Sequence, residues 1–237
     1  MGRIIVFLAI IIVVGVVLVV AGSSDRVRAS AVTCVGQVAT IVGTEGDDVI
    51  VGTDGNDIIA GLGGNDIIWG GKGDDLICGG VGNDTLYGGD GKDGLVSMMG
   101  EPGSDIMYGG NDDDTLLGGD GNDILYGEIG NDSLYGRGGN DTLYGGNNND
   151  NLDGNEGLDT LFGGNGDDIL TGGAADFDPA TIDRDYLYGE NGSDTLFGGP
   201  EFGGPGAGED YCDGGLGTDT VLLYEGLSSC QTVVNIP

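Results

Sequence analysis

The chain has 237 residues, of which 54 are glycine, and its 40 acidic side chains against 7 basic ones give a formal net charge of −33. This excess of negative charge excludes a nucleic-acid partner, because binding to phosphates needs positive charge. Histidine is absent, so the commonest general base and metal ligand is missing. Like charge of this size destabilises a compact chain unless cations neutralise it.

The first 31 residues have the pattern of an export signal. Arg3 gives a positive start, an apolar run covers residues 4–21, and the sequence ASA at 29–31 fits a small-x-small cleavage site. The run is 18 residues long, which is also just enough for a membrane-spanning helix. A cleaved signal peptide and a retained signal anchor therefore both stay open, and either one places the rest of the chain outside the cytoplasm.

A nine-residue repeat occupies residues 43–222 in eighteen units, between an expected N-terminal cap at 32–42 and a C-terminal cap or tail at 223–237. Seven units follow one another from Gly109: GGNDDDTLL, GGDGNDILY, GEIGNDSLY, GRGGNDTLY, GGNNNDNLD, GNEGLDTLF and GGNGDDILT. The first six positions are rich in Gly, Asn and Asp and predict tight turns, whereas the last three are β-prone. A fixed short period predicts a solenoid. Because the repeats fill residues 43–222, they leave no room for a second domain.

These units match the pattern GGxGxDxUx, and the chain resembles the RTX, or hemolysin-type, calcium-binding repeat family over about three quarters of its length. The resemblance implies an all-β parallel β-roll, a two-sheet right-handed β-solenoid with two units per turn and about nine turns. It also implies Ca²⁺ between successive loops on each edge, and Ca²⁺ takes about 6–8 oxygens from carboxylates and carbonyls. The implied ligands are the sixth-position aspartates: Asp48, Asp57, Asp66, Asp75, Asp84, Asp93, Asp105, Asp114, Asp123, Asp132, Asp141, Asp150, Asp159, Asp168, Asp185, Asp194, Asp210 and Asp219.

If each ion lies between loops one turn apart, the roll offers at most sixteen sites, two fewer than its loops. Sixteen Ca²⁺ ions would carry +32 against the chain's −33. Some loops depart from the pattern, because Asp112 and Asn148 replace the fourth-position glycine and two loops contain long inserts. We expect lower calcium occupancy around the aspartates of these loops: Asp114, Asp150, Asp185 and Asp210.

The eighth position of each unit is predicted to form the core. It is occupied by Ile50, Ile59, Ile68, Ile77, Leu86, Leu95, Met107, Leu116, Leu125, Leu134, Leu143, Leu152, Leu161, Leu170, Leu187, Leu196, Cys212 and Val221. One large side chain per nine residues makes a thin core, and its burial cannot offset the entropy lost in ordering nine residues. Folding and calcium binding are therefore expected to be one event.

Aromatic side chains recur at the ninth position of alternate units. Two units per turn would stack these residues on one sheet about 4.8 Å apart, as a ladder that stabilises its outer face. The alternative interpretation is a strip that binds a sugar or another partner, together with aromatic residues of the inserts. The candidate partner-binding residues are Trp69, Tyr87, Tyr108, Tyr126, Tyr144, Phe162, Phe177 and Phe202.

The four cysteines lie near the two ends of the repeat array. In an exported protein an even number of cysteines indicates disulfides. Local pairing of Cys34 with Cys78 and of Cys212 with Cys230 would fasten a cap at each end.

Three inserts interrupt the repeat, at residues 97–99 and in the units that begin at Gly172 and Gly198. All three fall in odd-numbered units, so they are predicted to lie on the same edge of the roll. Insertions gathered on one face of a solenoid often form its binding face. The last two inserts would then form a lobe that contacts a partner.

The sequence predicts a secreted calcium-binding β-roll that folds on binding several Ca²⁺ ions and serves as an extracellular structural or binding module. It is not expected to be an enzyme, since it contains neither HExxH nor GxSxG. One alternative is an adhesin-like module that binds an extracellular glycan or surface protein through the aromatic ladder or insert loops. A second is a remnant or accessory of a secreted hydrolase or toxin. Contact with a membrane is expected only through an uncleaved N-terminal segment.

Overall fold

The computed structural model describes residues 12–13, 16–17, 31–97, 103–173, 184–198, 210–222 and 230–234. The segment that holds the predicted signal therefore lies outside the described residues, apart from Ala31 and two short strands. The same is true of most of the three inserts, including Phe177 and Phe202. Within the part of the chain that is described, no helix is long and apolar enough to cross a membrane.

Twenty of the described β-strands alternate between two stacked parallel sheets of ten strands each, and the first four form two antiparallel pairs. The strands are Ile12–Val13 (β1), Val16–Val17 (β2), Thr33–Cys34 (β3), Gln37–Val38 (β4), Ile41–Val42 (β5), Val49–Val51 (β6), Ile58–Gly63 (β7), Ile67–Lys72 (β8), Leu76–Val81 (β9), Thr85–Asp90 (β10), Gly94–Val96 (β11), Ile106–Asn111 (β12), Thr115–Asp120 (β13), Ile124–Ile129 (β14), Ser133–Gly138 (β15), Thr142–Asn147 (β16), Asn151–Glu156 (β17), Thr160–Asn165 (β18), Ile169–Gly173 (β19), Tyr186–Asn191 (β20), Thr195–Phe197 (β21), Asp210–Asp213 (β22), Thr220–Val221 (β23) and Cys230–Val234 (β24).

Even-numbered strands from β6 to β24 form sheet one, and odd-numbered strands from β5 to β23 form sheet two. Strands that neighbour each other within a sheet are two units apart in sequence, so one turn of the roll contains two repeats. This confirms the predicted parallel β-roll with two units per turn. The roll has about seven turns, slightly fewer than the predicted nine.

Twelve of the eighteen strands from β6 to β23 are six residues long, and this corrects the prediction of three-residue strands flanked by six-residue turns. In β16 the strand continues from Thr142-Leu143-Tyr144 through Gly145, Gly146 and Asn147. Gly146 and Asn147 pair with Glu128 and Ile129 of β14. Glycine and asparagine have low strand propensity, but pairing in register with a neighbour on each side outweighs that preference.

The core is a single column of eighth-position side chains between the sheets. From Ile50 to Cys212 these residues are at most 8% exposed, and they form one contiguous cluster with Val221 packed against it and only half-buried. Alternate residues of each strand face inward, so the first-position glycine that follows also faces the interior. The predicted thin core is confirmed.

The two disulfides join Cys34 to Cys78 and Cys212 to Cys230, the local pairing expected from the sequence. Each disulfide joins a segment outside the repeat array to a strand of the roll. The β3–β4 hairpin packs against β7 and β9 of sheet two, where Ala60 and Cys78 are buried. At the other end, Cys212 and Cys230 belong to the core cluster itself.

The inserts occur at equivalent places in the topology. They separate β11 from β12, β19 from β20, and β21 from β22, so each lies between a strand of sheet two and the next strand of sheet one. Strand register is kept across them, since Leu161 pairs with Leu187 and Leu187 pairs with Cys212. The predicted shared edge agrees with this topology, while the proposed lobe lies outside the described residues.

Candidate calcium sites

The sixth-position aspartates form two buried columns, one along each edge of the roll. From Asp57 to Asp219 these side chains are at most 7% exposed. Within a column, the backbone N–H of each aspartate donates to Oδ1 of the aspartate one turn further along, at 2.7–3.0 Å. One oxygen of each of the sixteen carboxylates from Asp66 to Asp219 is therefore fixed by the fold.

The second carboxylate oxygen lacks such a partner in most of these residues. Among the described residues, nothing donates to the buried Oδ2 atoms of Asp66, Asp75, Asp93, Asp114, Asp123, Asp132, Asp141, Asp150, Asp168, Asp194 and Asp219. Burying a charged oxygen without compensation is costly, and buried charges are normally paired or coordinate a metal. A column of such oxygens fits a row of cations.

The first two units differ from the rest. Oδ2 of Asp48 accepts from the backbone N–H and the hydroxyl of Thr44, at 2.6 and 2.9 Å. Oδ2 of Asp57 accepts in the same way from Thr53, at 2.7 and 2.8 Å. The second-position threonines thus donate hydrogen bonds to Oδ2 atoms whose counterparts lack a donor in most later units.

Burial raises the pKa of many of these carboxyls far above the ordinary value of 3.8, neighbouring aspartates add to the rise at several positions, and the backbone hydrogen bond opposes it. The pKa reaches about 6 in Asp66, Asp132 and Asp168, about 7 in Asp93, Asp123 and Asp141, and about 8 in Asp114 and Asp150. Without a cation, burial therefore penalises the ionised form of these carboxyls, and part of the column is protonated near neutral pH.

The remaining ligands must come largely from the backbone. No group of three or more acidic, Cys or His side chains converges among the residues described, since each loop contributes one such aspartate. A methyl group built on first-position Gly136 would lie 2.3 Å from Oδ2 of Asp141 and 2.7 Å from the carbonyl oxygen of Gly154. Carboxylate and carbonyl oxygens thus gather at most of the first-position glycines that the structure describes, and Ca²⁺ prefers such hard oxygen ligands.

The glycines serve two different purposes. Positive φ occurs mainly at the second and fourth positions, and non-glycine residues such as Glu128 and Arg137 also adopt it, at φ 76° and 86°. Gly136 and the other first-position glycines do not have positive φ. They are required because a Cβ atom has no space there.

A second ladder at the fifth position was not anticipated from the sequence. The N–H of Asn140 donates to Oδ1 of Asn122 at 2.8 Å, and the N–H of Asn131 donates to Oδ1 of Asp113 at 3.0 Å. These bonds point to the preceding turn, whereas the aspartate bonds point to the following turn. The frequent Asn, Asp or Ser at the fifth position was the available signal. The two ladders therefore connect neighbouring loops through hydrogen bonds that run in opposite directions along the roll.

The irregular loops keep the geometry of the regular ones. Asp112 and Asn148 adopt φ of 77° and 82°, which Asx residues tolerate better than most. Asp114 and Asp150 still accept from the backbone N–H groups of Asp93 and Asp132 in the preceding turn, both at 2.8 Å. Asp185 and Asp210, which follow the long inserts, accept the same bond at 2.8 and 3.0 Å.

The ninth-position aromatic residues form the expected ladder on the outer face of sheet one. Successive rings from Trp69 to Tyr188 stack with centroids 4.8–5.4 Å apart and planes within 9° of parallel. The faces of the inner rings are covered by one another, so solvent meets their edges and hydroxyl groups. A sugar cannot stack on these faces as it would on an isolated aromatic side chain.

The comparison with protein families agrees with this geometry. The model of the RTX calcium-binding nonapeptide repeat matches residues 42–77, 73–100, 99–134, 117–152, 144–176, 180–200 and 206–221. A search of curated proteins gave no match. RTX repeats bind several Ca²⁺ ions, and the regularly spaced buried aspartates fit this property. The chain therefore belongs to the RTX calcium-binding nonapeptide repeat family.

Proposed function

We propose that the protein is a secreted module that folds on binding several Ca²⁺ ions and acts as a structural or binding element outside the cytoplasm. The observation that carries the proposal is the column of buried Oδ2 atoms without donors in a chain of net charge −33. Bound Ca²⁺ would supply the missing positive charge. No catalytic role is included, since the sequence has no His to activate a nucleophile or to serve as a general base.

The proposed ligands are the sixth-position aspartates in every unit from Asp48 to Asp219. Asp141→Ala should weaken calcium binding at the adjacent turns by at least about tenfold, because it removes a direct carboxylate ligand, and even indirect supports of metal sites cost about that much. Asp112→Asn is the matched control: this fourth-position residue is exposed, and asparagine tolerates its φ of 77°. Calcium titration followed by calorimetry compares the two. Equal effects would contradict the ligand assignment.

Export rests on the N-terminal pattern and on the two disulfides, which persist in oxidising compartments. Residues 32–42 and 223–237 would then flank the roll as its N-terminal cap and C-terminal cap or tail. If the signal is cleaved after Ala31, the protein recovered from culture medium should begin at Val32. Mass spectrometry of its N-terminus checks this. A protein that keeps residues 1–31 and stays with the membrane fraction would support the anchor instead, and full-length protein in the cytosol would refute export.

A binding role is favoured over a purely structural one by the outer face of sheet one. Its side chains repeat in register from turn to turn, with stacked rings beside a row of asparagines. An array of this kind complements a partner that also repeats. The insert loops remain a second proposed contact region.

A further inference from the structure

The outer face of sheet one contains a shallow trough beside the aromatic ladder, formed by strands β12, β14 and β16. At its centre is a depression of about 440 Å³, lined in part by Tyr126, Tyr144, Glu128 and Asn147. Gly110 and Gly146 also line it, and as second-position glycines they leave the space between the rings and the asparagines without side chains.

The walls of this depression present polar groups that the fold does not use fully. Among the described residues, no hydrogen bond joins the hydroxyl of Tyr126 or Tyr144 to another residue. Asn147 donates to the backbone carbonyl of Glu128 at 3.4 Å and accepts from Asn165 at 3.1 Å. Each carboxamide group retains hydrogen-bonding capacity toward solvent.

Glu128 stands in the trough at a position where both neighbouring turns have glycine. It pairs with Gly110 on one side and Gly146 on the other, its side chain is exposed, and its φ is 76°. A non-glycine residue in this conformation carries strain that glycine would avoid. The exposed carboxylate of Glu128 is available to accept hydrogen bonds, and hydroxyl groups donate strongly to carboxylates.

Three features restrict the class of molecule that could bind in the trough. The ring hydroxyl groups of Tyr108, Tyr126 and Tyr144 repeat once per turn, with successive rings 4.8–4.9 Å apart, so a polymer with a similar repeat fits better than a compact molecule. The lining combines these polar groups with apolar surface from Ile129, which is 51% exposed, and from the tyrosine rings, and a sugar likewise presents both hydroxyl groups and C–H surface. The net charge of −33 and the Glu128 carboxylate repel polyanions.

We propose that this trough binds an uncharged, extended β-linked polysaccharide that lies along the roll axis. Sugar hydroxyls would donate to the Glu128 carboxylate and exchange hydrogen bonds with Tyr126, Tyr144 and Asn147. Recognition through ring edges and hydroxyls replaces stacking on ring faces. The inference rests on the proposed function, because the trough exists only in the folded, calcium-loaded roll.

Calorimetric titration of the full chain with cellohexaose and with hexa-N-acetylchitohexaose, at saturating Ca²⁺, tests the proposal. Wild type should bind at least one of them. Glu128→Gln and Tyr144→Phe should each weaken binding by about tenfold, the loss expected for one strong hydrogen bond. Phenylalanine preserves the ladder, since Phe162 already stacks on Tyr144 at 4.9 Å.

The controls make the same chemical changes on sheet two. Glu156→Gln and Tyr135→Phe, in β17 and β15, should leave binding unchanged. The proposal is overturned by equal losses in the controls, by equally tight binding of polygalacturonate, or by no binding of either hexasaccharide. Circular dichroism of the same samples with Ca²⁺ and with EDTA separates these outcomes from a failure of the proposed function, in which calcium would not fold the chain.

Discussion

Chelation with EDTA near pH 8 should unfold the roll almost completely, and Ca²⁺ rising towards millimolar should restore its β-structure cooperatively. Burial already raises the pKa of Asp114 and Asp150 to about 8, so an ionised column without cations is unfavourable. The core supplies one large side chain per unit and cannot offset this cost. Because the metal site forms only in the folded chain, binding and folding are coupled. Far-ultraviolet circular dichroism of the chain without residues 1–31 measures the transition.

Magnesium is the matched control for this experiment. Mg²⁺ has the same charge as Ca²⁺ but demands a small octahedral site and retains its waters. It should therefore restore much less structure at equal concentration. A spectrum that EDTA does not change would contradict coupled folding, and equal rescue by Mg²⁺ would show that charge screening rather than a calcium site stabilises the roll.

Acid should partly replace calcium in the chelated protein. The carboxyls ionise near 3.8 in the unfolded chain but near 6–8 in the folded one, so between these limits the folded state binds more protons. Its stability is then fully present below about pH 4 and is lost as pH rises through 6–8. In EDTA, β-structure should be greater at about pH 5.5 than at pH 8. An EDTA sample no more structured at the lower pH would contradict the pKa shifts.

The repeat pattern was sufficient to predict the topology. Aromatic residues occur at the ninth position of alternate units, and this second period of two units predicts that Tyr126 lies beside Tyr144 rather than beside Tyr135. The structure pairs Tyr126 with Tyr144 in sheet one and places Tyr135 in sheet two. The inference works because strand stacking places equivalent positions of alternate units beside each other.

Strand length and the reason for the glycines were not predictable in the same way. Single-residue preferences describe Gly145, Gly146 and Asn147 as turn formers, yet pairing with the neighbouring turns extends β16 through them. The fifth-position ladder likewise depends on contact between residues about two units apart, as between Asn122 and Asn140. These features follow from the stacking of turns, which no single unit contains.

The steric role of the first-position glycines has a measurable consequence. Gly136 and Gly138 lie two residues apart in one unit, and neither has positive φ. A Cβ on Gly136 would meet Asp141 Oδ2 at 2.3 Å and the Gly154 carbonyl oxygen at 2.7 Å, whereas one on Gly138 has only ordinary contacts, at 3.7 Å and beyond. The Asp141 side chain cannot turn away freely, because its Oδ1 is held at 2.8 Å by the N–H of Asp123.

Gly136→Ala should therefore lower the free energy of unfolding at saturating Ca²⁺ by about 3 kcal/mol, the upper range for an overpacked interior. Gly138→Ala should change it by less than about 1 kcal/mol, and towards greater stability, since alanine restricts the unfolded chain. Urea titrations at one fixed calcium concentration compare the two variants, because bound ligand contributes to apparent stability. Similar losses of unfolding free energy in the two variants would mean that the first position needs glycine for its backbone freedom. The crowding of carboxylate and carbonyl oxygens around that position would then not explain why all eighteen units begin with glycine.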